Sequence, residues 1–196
     1  MSAGVFVRVI RNLLHRMVRK TEDAVGVRSD HMHFIIDTSL GAFVDLLLFM
    51  RLASHRQVLP SEVLHLARIV ATQNVDCGSC VQFSVNVALR DGVRPEWIRA
   101  ALEHRPELLP PELREVYEFT GHLLRHTYQE DALRESIRER YGDRGLLDLA
   151  CGIASAQVMP LTKQALGFAR SCSKIEVRVE GTSRSSVTET LSRSAA

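Results

Sequence analysis

Prolines at positions 60, 95, 110, 111 and 160 stand at the heads of stretches whose apolar residues recur with helical period. No comparable stretch alternates with period two before residues 175–179. That punctuation restricts the chain to one architecture. Proline is tolerated in a first helical turn and breaks a helix elsewhere. Amphipathic helices without strands to cover must bury their apolar stripes against one another. The fold class read from the sequence is all-α.

The individual helices follow from period and punctuation. Val5, Phe6, Val9, Ile10, Leu13, Leu14, Met17 and Val18 mark a basic amphipathic helix over 5–20, followed by a polar loop over 21–33. Asp37, Thr38 and Ser39 offer capping oxygens to a helix through Phe43, Leu46, Leu47 and Met50. In the helix opened by Pro60, residues Val63, Leu64, Leu66, Ala67, Val70 and Ala71 cover most of the circumference, which predicts burial on nearly all sides. A helix containing two cysteines runs to Asp91 and stops at Gly92; others run from Pro95 to Ala101 and from Pro110 to about His126. Three more are expected over 129–141, 144–158 and from Pro160 to about Cys172. Residues 175–179 alternate like a short strand, and the Ser/Thr-rich remainder lacks the apolar residues to fold. The organisation expected is an N-terminal helix and loop over 1–36, a helical domain over 37–174 and a flexible tail over 175–196.

Residues 63–75 also align without gaps on residues 146–158. Leu64, Leu66, Ala67, Ala71 and Val75 meet Leu147, Leu149, Ala150, Ala154 and Val158, as in two related halves whose helices pack alike. In the second copy Pro160 and Lys163 stand where Cys77 and Cys80 stand in the first. Two Ala/Leu-rich helices also coincide in this way by composition alone.

Composition excludes several classes. A net charge of +2 and 6% aromatic residues leave no basic stripe with stacking platforms, so no nucleic-acid partner is expected. The most apolar run, 40–53, is short and carries Asp45 and Arg51, so no segment is expected to span a membrane. Arg8 and Arg11 interrupt any signal-peptide core, which places the chain in the cytoplasm. Four cysteines in 196 residues are no disulfide framework, and the pair Cys77-Gly78-Ser79-Cys80 reads as redox or metal chemistry.

Two thiols one helical turn apart are close enough to form a disulfide, and a helix entrance favours a thiolate. Asp76 disfavours that charge at Cys77, making Cys80 the better nucleophile and Cys77 the resolving thiol. If the preceding helix turns straight back, His65 lies about 12 Å below the turn, level with Ser84, which is one turn beyond Cys80. An imidazole beneath a thiol with a hydroxyl between them makes a general base and proton relay; equally, it makes a buried His65–Ser84 pair without chemistry. No metal is expected. A structural zinc wants four ligands, and Cys151, Cys172, His31 and His33 have no ligand spacing. His122 and His126 are an i, i+4 pair that could hold a metal, but they lack the glutamate of an HExxH motif and lie on a charged face with Arg125. No cofactor is expected either.

The stretch from Leu59-Pro60 through Ala71-Thr-Gln-Asn-Val-Asp-Cys77-Gly-Ser-Cys80 to Ala88-Leu-Arg-Asp-Gly92 resembles the carboxymuconolactone decarboxylase-like superfamily, which includes the AhpD-type alkylhydroperoxidases. The resemblance is specific over about the middle third of the chain. It implies a helical bundle of two related halves, assembly into homo-oligomers, attack on a peroxide by Cys80 and resolution by Cys77. The family's glutamate twelve residues before the first cysteine is His65 here, and its histidine four after the second is Ser84. The usual relay is therefore absent, and a base supplied by His65 from the opposite helix would replace it. The expected function is a thiol peroxidase or thiol-disulfide oxidoreductase, with a hydroperoxide or disulfide substrate and a dithiol reductant protein as partner. The competing expectation is a non-catalytic oligomeric scaffold whose N-terminal helix contacts a membrane surface or a partner.

Overall fold

The computed structural model describes residues 3–75, 77–169 and 175–178, with side chains from Val5 onward. Its elements are α1 (Ala3–Val25), α2 (Asp30–Thr38), α3 (Leu40–Ala53), α4 (Ser61–Gln73), α5 (Gly78–Arg90), α6 (Pro95–Leu102), α7 (Pro111–Leu124) and α8 (Asp131–Ala165), with a 3-10 turn at Pro106–Leu108. No strand occurs among the described residues, and the all-α expectation holds.

The helix α4 is the axis of the bundle, packed against α5, α6, α7 and α8. Val63, Leu64, Leu66, Ala67, Ile69 and Ala71 are all buried, as the nearly unbroken apolar wheel requires. The main core joins them to Val81 and Val85, Ile98, Leu113 and Val116, and Ile137 and Leu149. A second, smaller cluster of Val18, Ile36 and Phe43 binds α1, α2 and α3 together. At Gly152 the α8 backbone passes so close to α4 that a Cβ there would collide with Leu64 Cδ1.

Several expectations are corrected. The polar stretch 21–33 is not a loop: α1 continues to Val25 and α2 begins at Asp30. His31 and Ile36 of α2 are buried, a pair too short in span to stand out as a period. A chain of contacts clasps α1 to α2, with His15 stacked on His33 at 4.9 Å and bonded to Asp37 at 3.0 Å. Pro160 does not open a helix. It lies buried within α8, which ends at Ala165, and Cys172 lies outside the described residues. The break comes instead at Gly142, whose φ of 70° and ψ of 177° divide α8 between 141 and 143, close to the expected boundary. That conformation is almost closed to residues with a Cβ. Gly142→Ala is therefore expected to lower stability by about 1–3 kcal/mol in urea unfolding.

The aligned segments 63–75 and 146–158 do not share an environment. Ala67 and Ala71 are buried, whereas their counterparts Ala150 and Ala154 are exposed, as is Leu147 opposite Leu64. The first segment is covered nearly all round, whereas the second keeps an exposed flank at Leu147, Ala150 and Ala154. Residues 175–178 form no strand and are not loose. Gln82 on α5 donates to Glu176 O and accepts from Glu176 N, and Val177 is buried. A lone extended segment lacks a ladder partner, and here a side-chain amide takes that place. Contrary to expectation, α8 is long and apolar enough to cross a membrane by length and composition. It buries Asp148 and Lys163 within the bundle.

Candidate active site

The cysteine pair sits where α5 begins. Cys77 is the residue before its first turn, and its carbonyl accepts from the N–H groups of Cys80 at 2.9 Å and Val81 at 3.0 Å. The two sulfurs are 2.8 Å apart and both are free thiols. At that separation the pair holds one proton between them once the other is lost. In that state the charge rests on Cys77. A hydrogen bond from the Cys80 thiol, then one from the Cys80 backbone amide, the Ser79 hydroxyl and last the Lys163 ammonium, outweigh burial and hold Cys77 down to about 5. The same contact, with burial and the Cys77 charge, pushes Cys80 well above the ordinary thiol range. The expected order, with the thiolate on Cys80, is thus reversed for the resting charge. Asp76, on which that expectation rested, lies outside the described residues.

Access runs the other way. Cys77 is 3% exposed, while Cys80 faces a half-open cavity of about 450 Å³ lined by α1, α2, α3, α4, α5 and α8. Four of the five methionines of the chain, Met17, Met32, Met50 and Met159, line it together with Phe43 and Phe83. Against this apolar wall stand His31, His65, Arg68 and Lys163, with Arg28 and Arg90 more exposed beside them and no aspartate or glutamate among the described lining residues.

His65 and Ser84 both line the cavity, but they do not meet. Thr72 Oγ1 lies 3.1 Å from Ser84 Oγ, and His65 Nε2 lies 2.8 Å from Asp91 Oδ2. Both pairs define one antiparallel register, in which His65 stands opposite Asp91, seven residues beyond Ser84. Those seven residues are about 10 Å along the helix. The first turn of α5 therefore overhangs the end of α4. The proposed path from His65 through Ser84 to Cys80 is not assembled, because the hairpin was expected to start both helices level. Burial holds His65 below the ordinary imidazole range despite its bond to Asp91.

The overhanging turn is covered by α8. Lys163 is only 8% exposed, and its ammonium donates to the Ser79 hydroxyl, itself 3.7 Å from Cys77 Sγ. Among the described residues no carboxylate stands within 4.0 Å of Lys163. Sequence reasoning missed this lysine as a functional group, although the internal alignment had set it opposite Cys80. His31 was also passed over. It is 5% exposed, neither ring nitrogen has a partner, and burial, followed by the charge of Lys163, pushes it down to about 4. Neither group of residues forms a metal site: no cluster of three or more His, Cys, Asp or Glu able to hold an ion occurs among the described residues. His122 bonds to Thr127, and α7 ends at Leu124, short of His126.

No family model, no curated protein and no solved structure matches this chain. The chemistry of the site stands on its own geometry.

Proposed function

We propose that this protein is a dithiol peroxidase that reduces a hydroperoxide within the cavity and is reset by an external dithiol protein. What supports the reading is Lys163: a buried ammonium with no carboxylate beside it among the described residues, one hydroxyl away from a thiol pair. A thiolate is the anion that this arrangement stabilises. The residue resemblance to the AhpD-type proteins points the same way, as does the opening of Cys80 toward the cavity.

In the proposed cycle the shared proton moves to Cys77 and leaves Cys80 as thiolate. Its sulfur attacks the terminal oxygen of the peroxide, so that an S–O bond forms and the O–O bond breaks. The departing alkoxide takes a proton from Lys163 by way of Ser79 and leaves as an alcohol. Cys77 then attacks the sulfenic acid of Cys80: the disulfide forms, hydroxide departs with the Cys77 proton as water, and two electrons have passed from sulfur to peroxide. Exposed apolar side chains on α3 (Val44, Leu48, Leu52) and α8 (Leu147, Leu161) support assembly into a homo-oligomer.

Lys163→Met tests the role of the ammonium. Thiolate absorbance of the reduced protein is expected to titrate near pH 5 in the native chain, and at least about one unit higher in the variant. The acid limb of the peroxide rate profile should move up with it. Ordinary thiol titration near pH 8.5 in both proteins sinks the proposal. The second reading, a scaffold that uses α1, then stands, because Val5, Phe6, Val9 and Leu13 lie exposed along one face of that helix beside Arg8 and Arg16.

A further inference from the structure

The cavity has a chemical polarity that peroxide reduction alone does not require. Its wall of methionine, phenylalanine and leucine carries no carboxylate among the described residues. Of its four lysine and arginine side chains, Arg28 and Arg90 are largely exposed, and the two less exposed ones mark two places. One place is the thiol end, with Lys163. The other is Arg68 on α4. In the register set by the pairs Thr72–Ser84 and His65–Asp91, Arg68 stands opposite Ala88, eight residues from Cys80. That is about 12 Å along the groove.

Arg68 is built into the site rather than left on a surface. Burial lowers its pKa, and Asp91 is the carboxylate that opposes the shift. Asp91 is bonded to His65 and stays outside ion-pair distance of Arg68, and the guanidinium of Arg68 donates to the Ala53 carbonyl. One of its five donors is thus accounted for. A guanidinium fork with further donors against a mainly apolar wall suits a carboxylate. Independently, His31 turns a ring with two unpartnered nitrogens into the same cavity while 5% exposed. A buried polar group left without a partner costs stability unless something supplies one. His31 feels the charge of Lys163, which places it toward the thiol end, where a peroxide oxygen or hydroxyl would meet it.

We propose that the cavity binds a chain-like amphipathic carboxylic acid, its carboxylate on Arg68 and its hydrocarbon along the methionine wall, so that an oxygenated carbon in its distal half reaches Cys80 and His31. The volume is of the size that takes small-molecule ligands, and flexible methionines accommodate a chain of variable shape. The part of the inference that names a fatty-acid hydroperoxide as substrate rests on the peroxidase reading; the binding of the acid does not.

The two are separated by calorimetric titration of the full-length reduced protein with dodecanoate, dodecanol and benzoate. Dodecanoate should bind at one site per chain, at least about tenfold more tightly than dodecanol or benzoate. Arg68→Met should lose at least about tenfold for dodecanoate and little for dodecanol, whose retained binding reports that the cavity is still folded. Cys80→Ser should keep dodecanoate binding while losing peroxide chemistry. Equal affinity for acid and alcohol, or an Arg68→Met variant that binds dodecanoate like the native chain, overturns the inference. If dodecanoate binds as expected and the native thiols consume no peroxide, the carboxylate site stands and the peroxidase reading fails.

Discussion

Replacing Cys80 with serine is expected to abolish catalytic peroxide consumption, a loss of at least about a thousandfold in turnover, because Cys80 is the one thiol among the described lining residues and a methionine oxidised there to the sulfoxide is not reset by a dithiol. Cys77→Ser should behave differently. Cys80 still reaches the peroxide, so each chain consumes one equivalent and stops as a sulfenic acid, which mass spectrometry detects as a single added oxygen. The contrast matters because charge and access are divided between the two thiols. Cys77 carries the resting charge, and Cys80 has the open face. Should Cys77→Ser be the inert variant and Cys80→Ser the one that stalls after a single equivalent, the charge rather than the access decides which sulfur reacts. The order of the cycle would then be inverted.

The second large effect lies in the frame of the site. Asp148 on α8 is fully buried, and its Oδ2 accepts three backbone N–H groups, from Gln57 at 2.9 Å, Val58 at 2.9 Å and Leu59 at 3.1 Å. It thereby fixes the turn that leads into α4, with His55 Nε2 standing 3.5 Å from its other oxygen. Asp148→Ala strands three amides together and is expected to cost about 3–5 kcal/mol, read as a lower urea midpoint. Burial alone would raise the carboxyl's pKa, yet the three amides and His55 hold it below the usual carboxylate range. Its folded value is thus below its unfolded one. The stabilisation is complete above the unfolded value near pH 3.9 and is lost as pH falls through the folded one. Asp148→Asn, which keeps an accepting oxygen, should cost less, and its difference from the native chain should shrink below about pH 4. A pH-independent difference would mean that shape, not charge, holds the turn.

The helices themselves were legible. Proline heads placed α4, α6 and α7 to within a residue or two, and the nearly unbroken wheel of α4 foretold its burial. The second helix was missed because its buried pair, His31 and Ile36, spans little more than one turn and straddles the end of the polar stretch 21–33. Pro160 misled for a different reason: proline preference for a first turn is a tendency, and a helix already packed on both sides of the residue carries through it. The likeness of 63–75 to 146–158 was read as likeness of packing, but small and aliphatic residues suit an exposed flank of α8 as well as the centre of α4.

Apolar period and turn residues by themselves determined a helical bundle with a dithiol at a helix entrance. Period tells which face of a helix is turned inward, and that is enough to fix the fold class. It does not tell how far one helix is slid along another. A shift of one or two turns leaves both apolar faces covered while exchanging every polar neighbour. Only the tertiary structure set that offset, giving His65 to Asp91, Ser84 to Thr72, and the lysine of a helix more than eighty residues away to the thiols.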